Sequence, residues 1–281
     1  MILKRLVFTD LDGTLLDHHT YSFAPALPML AKLKSLEIPV IPTTSKTRAE
    51  LIPLRQRIGL TGPFIIENGA AIYVPNQFMP APDSADILFE GDYWIKYFSA
   101  PRQHWLDILN QQKSRFKDKL RHYSEMSIAD ICAATGLSPE DANLSAQREF
   151  GEPVLWLGSN EEKNHFLNHM RQAGVSPLEG GRFIHICGQS DKGKALTWFS
   201  QHYLAHLNTQ VTTKFLTIAL GDGNNDIAML NAADIAVRIA SPSHSLPKLD
   251  KQTDVYTSTQ HGPAGWAECL SHILKQYQEE D

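Results

Sequence analysis

Two carboxylates stand two residues apart at the end of an apolar run near the start of the chain. The segment FTDLDGT, residues 8–14, carries Asp10 and Asp12 directly after the run Leu6-Val7-Phe8. Carboxylates held this close repel each other unless a cation lies between them or one of them holds a proton. The pair therefore indicates a metal site, a group that handles protons, or both.

Polar side chains also follow three further apolar runs, namely Thr44 and Ser45, then Asn68, then Asp222 and Asp226. Ligands of open parallel sheets bind outside the carboxyl ends of the strands, so we expect these side chains to converge on one crevice. An all-oxygen set of this kind suits Mg²⁺, which binds through one or two carboxylates, water and a substrate phosphate. The spacing predicts a magnesium site.

Two other interpretations of the motifs fail on their spacing. An EF-hand loop has glycine at its sixth position, whereas Gly13 is the fourth residue counted from Asp10. In GDGNNDIAML, residues 221–230, Ile227 stands where that glycine belongs. A dinucleotide-binding fingerprint requires a third glycine where this segment has Asp226. Solvated loop carboxylates with no common ligand are the alternative that spacing leaves open.

Apolar runs and helical spacing alternate at both ends of the chain. Strands are predicted at Leu6-Val7-Phe8 and in IPVIPTTS, PFIIENGA, KFLTIALGD and ADIAVRI. Pro39 and Pro42 are unusual in a central strand, because each lacks a donor for the strand ladder. Predicted helices alternate with these strands, and this alternation predicts an α/β fold with a doubly wound parallel sheet.

Residues 85–185 have a different pattern and are predicted to form an α+β insertion into the α/β domain. The aromatic-rich segments DYWIKYF, EPVLWLG and GRFIHICG are typical of strands. The predicted helix ends of this segment are N-caps at Ser127, Ser138 and Asn160 and a C-cap at Gly174. We therefore expect a catalytic core formed by residues 1–84 and 186–281, with the insertion between its two parts.

Composition limits the classes of partner. The net charge of the 281 residues is −5 and the pI is about 6.2, so no basic field is present to bind nucleic acid or an anionic membrane surface. The three cysteines (Cys132, Cys187 and Cys269) are far apart and indicate cytosolic free thiols. No stretch approaches 18 uninterrupted apolar residues. We expect a cytoplasmic protein with a small-molecule substrate and no obligatory protein partner.

Four segments carry a resemblance to a known family. DLDGT, TTSKT, SDKGKAL and GDGNNDIAML resemble, in this order, the four motifs of the haloacid dehalogenase superfamily of phosphatases. The resemblance covers residues 8–77 and 186–266, and the insertion stands where that superfamily has an α/β cap of the Cof type. More narrowly, Ser45-Lys46, ENGA, EFGEP and GRFIH are similar to the mannosyl-3-phosphoglycerate phosphatase family. The resemblance implies a Mg²⁺-dependent phosphomonoesterase that forms an aspartyl-phosphate and acts on a phosphorylated sugar derivative, with mannosyl-3-phosphoglycerate as the expected substrate.

The resemblance also implies a role for each matching residue. Asp10 is the expected nucleophile and Asp12 the general acid and base. Lys192 offsets charge between Asp10 and the phosphate, and Thr44 and Ser45 bind phosphate oxygens. The implied metal ligands are Asp10, Asp222 and the backbone carbonyl of Asp12, with Asn225 and Asp226 completing or orienting the set. The candidate substrate-binding residues are Asn68, Lys46 and Arg182.

Other interpretations stay open for individual residues and for the reaction. Lys192 is also consistent with an ordinary first-turn residue of a helix, Thr44 with a helix N-cap, and Arg182 with a surface salt bridge. The same motifs occur in broader sugar-phosphate or sucrose-phosphate-type phosphatases. They also occur in phosphomannomutase-like isomerases, which return the phosphoryl group to the sugar instead of releasing it.

Overall fold

The computed structural model describes residues 2–112, 114–180, 183–207 and 213–277. The chain divides into two compact units. Unit 1 consists of Met1–Ser45, Ile58–Lys96 and Asp191–Asp281, and unit 2 consists of Lys46–Arg57 and Tyr97–Ser190. Among the described residues no helix is both long enough and apolar enough to cross a membrane.

The secondary structure alternates in the way that the sequence predicts at both ends of the chain. The strands are β1 (Ile2–Thr9), β2 (Val40–Pro42), β3 (Phe64–Ile66), β4 (Ala71–Pro75), β5 (Ile87–Glu90), β6 (Tyr93–Tyr97), β7 (Leu120–His122), β8 (Glu152–Trp156), β9 (Leu178–Gly180), β10 (Phe183–Ile186), β11 (Thr213–Gly221), β12 (Ile235–Ala240) and β13 (Val255–His261). The α-helices are α1 (Leu27–Ser35), α2 (Arg48–Ile58), α3 (Arg102–Gln112), α4 (Ile128–Thr135), α5 (Pro139–Ser145), α6 (Asn160–Gln172), α7 (Lys192–Leu207), α8 (Ile227–Ala232) and α9 (Gly262–Gln276). Short 3₁₀ helices lie at Ala24–Ala26, Tyr123–Glu125 and Asn224–Asp226.

A five-stranded parallel sheet is the centre of unit 1. Its strand order is β13-β12-β11-β1-β2, and every neighbouring pair is parallel. Pro39 precedes β2 and Pro42 ends it, and β2 is an edge strand of this sheet, where a missing donor is tolerated. The strand order reverses between β1 and β11, which is the position where open α/β sheets bind ligands.

Unit 1 also contains an antiparallel sheet with the order β3-β4-β6-β5. We predicted β3 as a strand of the parallel sheet, and in this respect the prediction is wrong. β3 pairs antiparallel with β4, and an isolated parallel bridge between Thr43 and Ile65 joins it to the residue that follows β2. The reason is the turn after β3, where Glu67, Asn68 and Gly69 all have positive φ and reverse the chain.

Unit 2 is built on an antiparallel sheet with the order β7-β8-β10-β9. Val154, Phe166 and Ile184 are among the buried residues of one of its core clusters. The predicted boundaries of the insertion, residues 85 and 185, stay a prediction. In the structure β5 and β6 up to Lys96 belong to unit 1, and only the last residue of β6, Tyr97, belongs to unit 2. Helix α2 belongs to unit 2 except for its last residue, Ile58.

The helix ends of unit 2 mostly follow their sequence signals. Ser127 and Ser138 are N-caps, each accepting a hydrogen bond from the N–H three residues on. The predicted N-cap at Asn160 is wrong, because Ser159 takes that position. Ser159 Oγ accepts from the N–H of Glu162, whose carboxylate accepts from the N–H of Ser159 in return. This reciprocal capping box makes Asn160 the first helical residue.

Candidate active site

The first motif loop starts where β1 meets β11. The two strands pair in a register that places Thr9 opposite Leu220, and the N–H of Asp10 donates to the Leu220 carbonyl at 2.9 Å. Beneath this point Trp266 Nε1 donates to Thr9 Oγ1 at 3.0 Å, and Thr9 Oγ1 donates to the Asp10 carbonyl at 2.7 Å. The backbone of Asp10 is therefore fixed from both sides, and its side chain is buried.

Lys192 is the cation of the site. It is the first residue of α7 and is fully buried, and its Nζ lies 2.6 Å from Asp10 Oδ1 and 2.6 Å from Asp226 Oδ1. The start of α7 packs against Gly69, where no larger residue fits. A Cβ on residue 69 would lie 2.2 Å from the carbonyl oxygen of Asp191, the residue before α7. Lys192 is therefore a first-turn residue that also bridges two carboxylates.

Asp226 uses both carboxylate oxygens within the protein. Oδ1 faces Lys192, while Oδ2 accepts from the N–H of Asp222 at 3.1 Å and from the N–H of Gly223 at 2.9 Å. The two hydrogen bonds to Oδ2 fold the segment after β11 into a tight loop. Asp226 thus shapes the loop that presents Asp222.

The carboxylate of Asp222 is held by two side chains that the sequence did not single out. Thr14 Oγ1 donates to Asp222 Oδ1 at 3.0 Å, and His244 Nε2 donates to Asp222 Oδ2 at 3.0 Å. Gly13 permits the close approach of the first motif loop: its φ is +78°, and a Cβ would lie 2.4 Å from Asp222 Oδ2. Asp10 and Asp222 are thereby brought together although they are far apart in the chain.

Burial and like charge determine the electrostatics of this cluster. Burial raises the pKa of Asp10 well above its usual value; Lys192 opposes the shift, and Asp226 and Asp12 add to it. Burial raises the pKa of Asp222, and repulsion from Asp226 raises it further. Burial lowers the pKa of Lys192, but Asp10 and Asp226 together raise it more, so the ammonium stays charged. With all three carboxylates ionised, the pocket would hold more negative charge than one lysine offsets.

This charge excess and the donor set suit a hard divalent cation. Asp10, Asp222 and Asp226 each offer a carboxylate oxygen, and these three oxygens lie within 4.8 Å of one another. Mg²⁺ prefers such oxygen ligands and keeps several waters. A cation here also favours the ionised form of the buried carboxylates.

The other predicted residues of unit 1 lie on the loops around this cluster. Asp12 is half-buried in the first motif loop. Thr44 is buried; its N–H donates to Ile65 O at 3.1 Å, and its carbonyl accepts from the N–H of Asn68 at 2.9 Å. Asn225 is exposed, and its Nδ2 donates to Asn68 Oδ1 at 3.2 Å. Ser45 directly follows Thr44, is half-buried, and is the last residue of the first segment of unit 1.

The remaining candidates have separate outcomes. Thr44 is not the N-cap of α2, because Thr47 Oγ1 accepts from the N–H of Glu50 and Glu50 accepts from the N–H of Thr47. Lys46 is half-buried and belongs to unit 2. Arg182 lies outside the described residues, and its role stays a prediction.

Two similarities to known proteins identify the family of this chain. A family model for haloacid dehalogenase-like hydrolases matches residues 7–84. The glucosyl-3-phosphoglycerate/mannosyl-3-phosphoglycerate phosphatase of Methanococcoides burtonii is 33% identical over 272 residues, which are 97% of this chain and 98% of the relative. The chain belongs to the haloacid dehalogenase-like hydrolases. The predicted superfamily membership is therefore confirmed.

Further comparisons agree with this assignment. The chain is also 30% identical over 278 residues to the glucosyl-3-phosphoglycerate/mannosyl-3-phosphoglycerate phosphatase of Persephonella marina. The match covers 96% of this chain and 97% of the relative. A solved sugar phosphatase of subclass IIB has a TM-score of 0.64 at 17% identity, covering 96% of this chain and 99% of that chain. At this identity the likeness bears on the fold, and it confirms the predicted α/β class with an inserted cap.

Proposed function

We propose that this phosphoric monoester hydrolase cleaves mannosyl-3-phosphoglycerate to mannosylglycerate and inorganic phosphate, with Mg²⁺ as cofactor and an aspartyl-phosphate as intermediate. The observation that carries the substrate assignment is the match to two phosphatases of glucosyl- and mannosyl-3-phosphoglycerate over nearly the full length of each chain. The reaction class rests independently on the buried cluster of Asp10, Lys192 and Asp222.

In the first step Asp10 attacks phosphorus and the bond from phosphorus to the ester oxygen breaks. Asp12 donates its proton to that oxygen as the alcohol leaves. In the second step Asp12 takes a proton from water, which attacks the acyl phosphate and restores Asp10. Lys192 keeps the negative charge of Asp10 from repelling the phosphate, and Thr44 binds a phosphoryl oxygen.

A bound Mg²⁺ supplies charge neutralisation for the phosphoryl group and orients it for in-line attack. The residues that fit such an ion are Asp10 and Asp222 through their carboxylates and Asp12 through its backbone carbonyl. The hydrogen bonds of Asp226 to the loop, and of Asn225 to Asn68, support the proposal that these two residues orient the set.

The substrate carries a carboxylate as well as a phosphate, so recognition requires a second group that binds an anion. A guanidinium matches a carboxylate in two parallel hydrogen bonds, and Arg182 lies within residues 85–185, the segment that we propose selects the substrate. Arg182→Ala should raise KM for glycosyl-3-phosphoglycerates, at a cost of roughly 1.5–3 kcal/mol for a charged hydrogen bond. Hydrolysis of an aryl phosphate, which has no carboxylate, should stay unchanged; equal loss on both substrates contradicts this role.

The proposed function is tested by measuring phosphate release in the presence of Mg²⁺. The panel contains mannosyl- and glucosyl-3-phosphoglycerate, sucrose 6-phosphate, hexose phosphates and an aryl phosphate, and Asp10→Asn is the inactive control. We expect the highest kcat/KM for the two glycosyl-phosphoglycerates. A higher kcat/KM for sucrose phosphate or for hexose phosphates overturns the substrate assignment. Interconversion of hexose phosphates without release of phosphate overturns the hydrolase.

A further inference from the structure

His244 lies on the loop that follows β12, and its ring faces the candidate metal site. Its Nε2 is 3.0 Å from Asp222 Oδ2 and its Nδ1 is 3.2 Å from the carbonyl oxygen of Ser245. The loop is held at its base, where the N–H of Ala240 donates to Ser258 Oγ at 2.8 Å. One further hydrogen bond, from the N–H of Ser243 to Ser241 Oγ, turns the chain just before the histidine.

The position of this ring matters because of the carboxylate that it meets. Thr14 donates to one oxygen of Asp222 and His244 to the other, so the two donors fix the plane of the carboxylate. A carboxylate oxygen accepts at two lone pairs, so each oxygen of Asp222 keeps one for a cation. Thr14 comes from the first motif loop and His244 from the loop after β12, so two separate loops orient Asp222.

We propose that His244 is a positioning residue that holds Asp222 in the orientation required to bind the divalent cation. This inference rests on the metal dependence within the proposed function. His244 does not touch the reacting atoms in this assignment; it acts through Asp222. Partners that hydrogen-bond a metal-ligating carboxylate typically change metal affinity or activity by 10–100-fold when removed.

A simple surface ion pair is the competing explanation, since the His244 side chain is 39% exposed. The two explanations differ in where the effect appears. An ion pair whose histidine is free to move in solvent would contribute little to stability and would not fix the orientation of Asp222, so its loss should leave metal affinity unchanged. A positioning donor changes metal affinity even when the fold is unaffected, and a different side chain that offers an N–H at the same place restores it.

The test is direct binding of Mn²⁺ to the substrate-free enzyme, followed through the electron paramagnetic resonance signal of free Mn²⁺, with Mg²⁺ as competitor. His244→Ala should weaken binding by roughly 10–100-fold. His244→Gln places an amide N–H near the position of Nε2 and should restore most of the affinity. His272→Ala is the matched control, because His272 is an exposed histidine of α9 that contacts the ring of Tyr256. Circular dichroism and thermal unfolding verify that each variant is folded.

Steady-state kinetics provide a second, independent measurement of metal binding. If His244 only positions Asp222, the Mg²⁺ concentration for half-maximal activity rises in His244→Ala while kcat at saturating Mg²⁺ is retained. Wild-type affinity in His244→Ala overturns the inference and leaves the proposed function intact, and so does a His244→Gln variant as weak as the alanine variant. No Mn²⁺ binding by the wild-type enzyme overturns the metal dependence of the proposed function and this inference together.

Discussion

Lys192→Met separates the charge of the buried ammonium from its volume. Methionine has a similar length and no charge, so the substitution leaves Asp10 and Asp226 facing each other without the cation that lies 2.6 Å from each. The exposed fraction of the side chain is 0% for Lys192, 9% for Asp10 and 1% for Asp226, so solvent cannot screen the repulsion between the two carboxylates. We expect a large loss of stability in addition to loss of activity.

The size of the effect follows from burial. Removing one partner of a buried ion pair costs roughly 3–5 kcal/mol, because a charge is left without compensation. For a domain of roughly 150–250 residues this free energy corresponds to a decrease in Tm of roughly 6–20 °C. The comparison is made with EDTA present, so that a bound cation does not replace the ammonium.

The loss should depend on pH in a defined direction. Burial already raises the pKa of Asp10, and without Lys192 that pKa rises further. A carboxyl whose pKa is higher in the folded than in the unfolded state destabilises the fold as the pH rises through and above its unfolded value, because the folded state must then give up a proton that it holds tightly. The difference between Lys192→Met and wild type should therefore be larger at pH 8 than at pH 5.5.

The assay is urea unfolding followed by far-UV circular dichroism at both pH values. Lys194→Met is the matched control, since Lys194 is an exposed lysine of the same helix whose Nζ lies 3.7 Å from Asp191. An exposed pair of this kind contributes about 0–1 kcal/mol. If Lys192→Met stays within about 1 kcal/mol of wild type at pH 8, the argument that Lys192 compensates buried charge is refuted.

Three further perturbations test other parts of the reasoning. Asp12→Asn should reduce kcat on the order of a hundredfold or more by removing proton transfer, and a normal burst of alcohol release in rapid-quench measurements contradicts that role. Gly13→Ala introduces a Cβ 2.4 Å from Asp222 Oδ2 at a φ of +78°, so Mn²⁺ affinity and activity should both fall, and unchanged Mn²⁺ binding contradicts the close approach. Burial, with a smaller contribution from Arg148, lowers the pKa of the partly buried His185 to about 4. The unfolded state then binds the extra proton first, so stability should fall between pH 6.5 and 5 by at most about 2 kcal/mol; urea unfolding of His185→Gln should lack this slope.

The location of the site was predictable because it depends on sheet geometry. Parallel strands end at a common edge, so polar residues placed after Phe8, Pro42 and Gly221 had to lie near one another once the strands were assigned. The capping pattern at Ser127 was equally local, since it depends on residues three apart. Both predictions need only contacts that the order of elements already implies.

The features that the sequence does not predict either have no local signal or have a signal that fits two different structures. β13 has mostly polar residues and an exposed edge, so the strand VYTSTQH shows no alternation of apolar and polar residues. The turn at Glu67-Asn68-Gly69 contains Asn-Gly, a hairpin signal, but a polar residue after an apolar run is equally typical of the end of a parallel strand. His244 has no motif around it, and only the return of the loop after β12 brings it to Asp222.

The charge balance of the pocket explains why a divalent cation, rather than a second lysine, suits the site. With every group ionised, the carboxylates of Asp10, Asp222 and Asp226 and the ammonium of Lys192 leave two negative charges, since three negative charges meet one positive charge. The pairing of β1 with β11 fixes these groups together, and the raised pKa values of Asp10 and Asp222 are the consequence. A phosphate monoester brings further negative charge to the same place. A divalent cation would cancel the two negative charges and keep Asp10 ionised, whereas a second lysine would cancel only one of them.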